Sequence, residues 1–149
     1  MMKIKPTIQI SLLFLLTSLF ATGTIADTGK VPNTLVILSS NSLQTQGMAM
    51  VLGNTMQAQG ARVRVLLCDE AGDLALAKKA DNQKLKPKNV SPKMLLGKLR
   101  KGGASVSVCA LYLPNSNYTK ADLMKGVGVA KPPEIAALML DKNTRVFTF

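Results

Sequence analysis

Leu35-Val36-Ile37-Leu38 is an unbroken apolar run, bounded by Asn33 on one side and Ser39-Ser40-Asn41 on the other. A strand with one wet face alternates apolar and polar residues. A continuous run reads instead as a strand covered on both faces, as in a parallel sheet between helices. Downstream, Ser42 to Gln59 carries Met48, Val51, Leu52 and Met56 at i, i+3, i+4 and i+8. That spacing predicts a helix whose buried face is this apolar stripe, and Gly60 predicts its end. Val63 to Cys68, rich in Val and Leu, is the second expected strand.

The alternation continues to the last residue. A short helix is expected over Asp73 to Lys79, then a Lys-rich loop to Asn89. Ser91-Pro92 has the form of an N-cap followed by proline at the first helical position, and Gly102-Gly103 closes that helix. Val106 to Leu111 reads as the third strand, Tyr118 to Lys125 as a short helix and Val127 to Ala130 as a short strand. Pro132-Pro133 opens a helix with Ile135, Leu138 and Met139 on one side, and Arg145 to Phe149 is a final strand. Strands alternating with helices over this length predict a three-layer α/β/α domain with a mostly parallel sheet. Working residues in such sheets lie beyond the carboxyl ends of the strands, which is where Cys68 and Cys109 fall.

Residues 1–26 have a different character. Lys3 and Lys5 precede the apolar stretch Ile8 to Phe20, and small residues follow at Thr24-Ile25-Ala26. This is the layout of a secretory signal peptide, expected to be cleaved before Asp27. The apolar stretch is shorter than the roughly 20 residues that a membrane span needs. The expectation is an exported, periplasmic or secreted domain over 27–149, with no stable membrane insertion after cleavage.

Composition excludes much chemistry. The chain has no His and no Trp. Ser-His-Asp and Cys-His nucleophile arrangements, His-ligated metals and imidazole acid–base catalysis are therefore absent. Two Cys cannot close a four-thiolate zinc or iron–sulfur site, and no resident cofactor or metal is expected. Met48 and Met50 lie two apart on the expected helix, pointing about 200° away from each other, so they cannot chelate one Cu(I). Gly126-x-Gly128 lacks the Lys-Ser/Thr of a phosphate loop.

The segment Gly103-Ala104-Ser105-Val106-Ser107-Val108-Cys109-Ala110 resembles the DsrE/DsrF-like family, which includes the TusD-type sulfur-relay subunits. The ending Asp141-Lys142-Asn143-Thr144-Arg145-Val146-Phe147-Thr148-Phe149 is similar to that family's closing strand, and the likeness runs from Thr34 to Phe149. The resemblance implies a five-stranded α/β/α domain that assembles into trimers or hexamers. It also implies that Cys109 holds a persulfide and passes sulfur between a donor and an acceptor protein. The sequence departs from the family in its export signal and in the loop Leu111-Tyr112-Leu113-Pro114-Asn115, which lacks the expected basic and small residues. The other reading is a non-catalytic oligomeric binding module of the same fold, its cysteines structural or disulfide-bonded.

Cys68 precedes Asp69-Glu70, whose charges disfavour a thiolate. It reads either as a strand-end core residue or as a redox partner of Cys109. A bridge between them closes a loop of about 40 residues and stabilises by about 4 kcal/mol in the chain-entropy model. It requires Cα atoms within about 7 Å, and so fails if another strand separates the two. Charge is concentrated in Lys78 to Lys101, where nine basic residues face one acid, Asp81. Lys84, Lys86, Lys88, Lys93, Lys98, Arg100 and Lys101 are candidates for docking an anion or an acidic partner, or form a solvated face. No aromatic residues interleave with them as stacking platforms, and export argues against a nucleic-acid ligand.

Overall fold

The computed structural model describes residues 31–149, so the expected signal peptide lies outside the described residues. The elements are β1 (Asn33–Leu38), α1 (Leu43–Ala58), β2 (Arg62–Leu67), α2 (Pro92–Lys101), β3 (Ser105–Val108), β4 (Gly128–Val129), α3 (Pro132–Leu140) and β5 (Thr144–Thr148). Two 3-10 segments, Asp69–Ala75 and Lys120–Asp122, complete them. All strands are parallel, in the order β4-β3-β2-β1-β5.

The apolar runs become rows across the sheet. Val36 is in register with Val65, and Val65 with Val106; Leu38, Leu67 and Val108 form a second row one pleat further on. All six are buried in the core, against which Met50 of α1 and Leu96 and Leu99 of α2 also pack. The alternate side chains of the same strands face the other way. Leu35, Arg64 and Ser107 border a cleft of about 210 Å³ together with Ile135 and Leu138 of α3. Helices thus lie on both faces, giving the three-layer α/β/α architecture read from the sequence.

Local chemistry sets the helix ends. Ser42 Oγ accepts from the Thr45 N–H at 3.4 Å, and Ser91 Oγ accepts from the Met94 N–H at 3.0 Å, with Pro92 opening α2. Gly60 at φ +89° and Gly103 at φ +100° turn the chain out of α1 and α2 in the left-handed region that glycine reaches freely.

Four expectations are corrected. Helix α1 presents Gln46, Gly47, Ala49, Met50 and Gly53 inward, while Met48, Val51 and Leu52 are exposed. The reason is close approach: a Cβ on Gly53 would stand 3.1 Å from Leu99 Cδ2, and one on Gly47 would overlap Leu85. Small residues beside Met50 fit here, so Met48, Val51 and Leu52 turn outward, and of the expected stripe Met56 packs against the core. The helix expected over Asp73 to Lys79 is instead a 3-10 segment starting at Asp69, because Asp69 at φ +50° bends the chain as soon as β2 ends. Between Tyr118 and Lys125 only Lys120–Asp122 is helical, capped by Asp122 Oδ2, which accepts from the N–H and the hydroxyl of Thr119 at 2.8 Å each. Strand β3 stops at Val108, since the Tyr112 N–H donates to the Cys109 carbonyl at 3.0 Å and folds the chain into turns.

Candidate functional site at the carboxyl edge of β2 and β3

Early termination of β3 makes Cys109 the first loop residue rather than part of the strand. Its N–H still donates to the Leu67 carbonyl of β2 at 2.7 Å, and the Cys68 N–H donates to the Leu38 carbonyl of β1 at 2.8 Å. Both cysteines therefore stand one residue past the sheet on neighbouring strands, with no strand between them. Both are free thiols, half-buried.

Cys109 opens into a cavity of about 410 Å³ lined also by Asp69, Glu70, Asp73, Leu111, Tyr112, Asn115 and Ser116. Tyr112 is fixed on one wall. Its hydroxyl donates to Asp73 Oδ1 at 2.6 Å, and its ring lies so close to Gly72 that a Cβ there would meet it at 2.4 Å. Burial, then the bond to Asp73, raises the phenol well above its ordinary range, so Tyr112 keeps its proton. Lys79 holds the other Asp73 oxygen at 2.5 Å.

The cavity walls carry three carboxylates and no basic side chain. Of the basic candidates, Lys93 donates to the Leu76 and Lys79 carbonyls at 2.6 and 2.7 Å, Lys84 pairs with Asp81 at 3.3 Å, and Arg100 donates to the Lys125 carbonyl. Lys86, Lys88, Lys98 and Lys101 are exposed. None of the seven lines the Cys109 cavity. The lysine-rich segment is a separate surface from the thiols.

Burial, followed by the hydrogen bond and charge shared with Cys109 and by Asp69, pushes the Cys68 thiol up to about 12. Cys68 thus keeps its proton near neutral pH. Alkylation proceeds through the thiolate, so iodoacetamide labelling of Cys68 is expected to rise about tenfold per pH unit from pH 8 to about 11. A labelling rate that levels off below pH 9 contradicts this assignment.

Sequence reasoning located both cysteines and the acids beside Cys68 but missed Asp73 and Tyr112. Those two are 39 positions apart, and nothing in either neighbourhood signals their bond.

No family model matches the chain, and no curated protein does either. Solved structures do match. The YchN protein from E. coli aligns over 80% of this chain and 100% of its own, with TM-score 0.66 and 16% identity. The fold is DsrE/DsrF-like. MTH1491 from Methanobacterium thermoautotrophicum, described as a protein of unknown function, aligns over 79% of this chain and 99% of its own, with TM-score 0.62 and 11% identity. The shared architecture covers nearly all described residues, and at these identities it speaks for the fold alone.

Proposed function

We propose that this chain is an exported sulfur carrier that holds sulfane sulfur as a persulfide on Cys109. The observation that carries the reading is the placement of Cys109 on a DsrE/DsrF-like sheet: first in the loop past β3, half-buried and lining a cavity. In the loading step the Cys109 thiolate attacks the outer sulfur of a donor persulfide. The donor's S–S bond breaks, its inner sulfur leaves as a thiolate that takes a proton, and Cys109 becomes Cys–S–SH with no net oxidation. Asp69, Glu70 and Asp73 oppose anionic sulfur species in the cavity. The donor class this favours is a persulfide that is uncharged, zwitterionic or presented by a protein with a basic face.

Those same carboxylates favour the competing reading, a non-catalytic oligomeric module, because they repel anionic sulfur donors from the cavity. Incubation with zwitterionic cysteine persulfide separates the two. The carrier gains about 32 Da that dithiothreitol removes, whereas the module gains nothing.

Self-association belongs to the same reading. Helix α3 buries none of its residues fully, and Leu140 is 86% and Met139 51% exposed, with Phe147 of β5 at 39%. Apolar side chains left this open favour a second copy as cover. Light scattering at micromolar concentration is expected to return a trimer or hexamer; a monomer contradicts it.

A further inference from the structure

The two cysteines follow neighbouring strands of the sheet. Leu67 of β2 is in register with Val108 of β3, so Cys68 and Cys109, the next residues, lie side by side. Neighbouring strands run about 4.8 Å apart, within the Cα separation of about 4.4–6.8 Å that disulfides adopt. Their exposures to the cavity differ: Cys109 lines it, while Cys68 is not among its lining residues. A reagent in the cavity meets Cys109, which lines it.

We propose that Cys68 is the resolving thiol for sulfur species bound to Cys109, closing a Cys68–Cys109 disulfide and expelling the outer group. For the persulfide substrate this rests on the sulfur-carrier reading. The Cys68 thiolate attacks the inner sulfur of Cys109–S–SH, the Cys109 S–S bond breaks, and hydrosulfide leaves with the proton that Cys68 gave up. The two protein sulfurs are oxidised to a disulfide and the outer sulfur is reduced to sulfide, so no external oxidant is needed. A dithiol reductant returns the pair to its starting state. The same chemistry resolves a mixed disulfide, with a thiol as leaving group in place of hydrosulfide. Because Cys68 holds its proton tightly, discharge is slow near neutral pH, which gives an acceptor time to take the sulfur first.

Two arms test this on the whole protein. Protein loaded with cysteine persulfide and freed of donor is expected to release one equivalent of sulfide and end about 2 Da below the reduced mass. In Cys68→Ser and in Cys68→Ala, release slows by about tenfold or more, and the added sulfur stays on Cys109. In the second arm unloaded protein is oxidised with glutathione disulfide. Wild type is expected to form the Cys68–Cys109 disulfide, and both variants to stop at the glutathione adduct. Failure to load combined with a disulfide in the second arm sinks the carrier reading and leaves the resolving pair standing. Equal sulfide release in wild type and variants, or a persistent glutathione adduct in wild type, overturns the proposal.

Discussion

Replacing Cys109 with serine is expected to abolish sulfur loading while leaving the fold intact. A hydroxyl cannot hold sulfane sulfur under these conditions, whereas the change in side-chain size is small. The position is half-buried beyond the end of β3, where the backbone bond to Leu67 survives any side-chain change. The stability cost is therefore about 1 kcal/mol or less. Cys68→Ser should load as wild type does, because Cys109 is the sulfur that lines the cavity. Mass spectrometry of both variants after incubation with cysteine persulfide checks the pair of outcomes. Loading that persists in Cys109→Ser refutes the assignment of the acceptor.

Leu99→Ala is expected to have the largest effect on stability. Leu99 is fully buried in α2 and presses its Cδ2 against the bare backbone of Gly53 in α1. Truncation leaves a cavity between two helices whose spacing that contact sets. Leu→Ala at such sites costs about 3 kcal/mol, which for a domain of this size lowers the melting temperature by about 10 °C. Thermal and urea unfolding measure it. A loss under about 1 kcal/mol means that the α1–α2 contact is not the core described here.

Much of the architecture was legible because parallel strands write themselves as continuous apolar runs. Leu35 to Leu38 and Val63 to Leu67 supply both faces of the two central strands, and proline and glycine punctuate the helices around them. The inward face of α1 was not legible. Hydrophobic spacing counts large side chains, and here Gly47, Ala49, Met50 and Gly53 face inward while Met48, Val51 and Leu52 stay outside. The site divides the same way. Cys68 and Cys109 stand out as the only two cysteines of the chain, each at a strand end. That they are neighbours depends on strand order, which local sequence does not encode: β2 sits beside β3 because β1 and β5 fill the other side. The acidic lining of the cavity was equally hidden. Asp73 reaches it from the 3-10 segment after β2, held there by Tyr112 from the loop after β3.

Trypsin separates the two thiols cleanly. Cleavage after Arg64 and Lys78 places Cys68 on the peptide Val65–Lys78, and cleavage after Lys101 and Lys120 places Cys109 on Gly102–Lys120. The decisive measurement is non-reducing peptide mass spectrometry of wild-type protein after incubation with cysteine persulfide and blocking of free thiols. The added mass of about 32 Da is expected on Gly102–Lys120, absent from Val65–Lys78 and lost with dithiothreitol. Added sulfur on Val65–Lys78 alone, or on neither peptide while the two peptides remain unlinked by a disulfide, contradicts it.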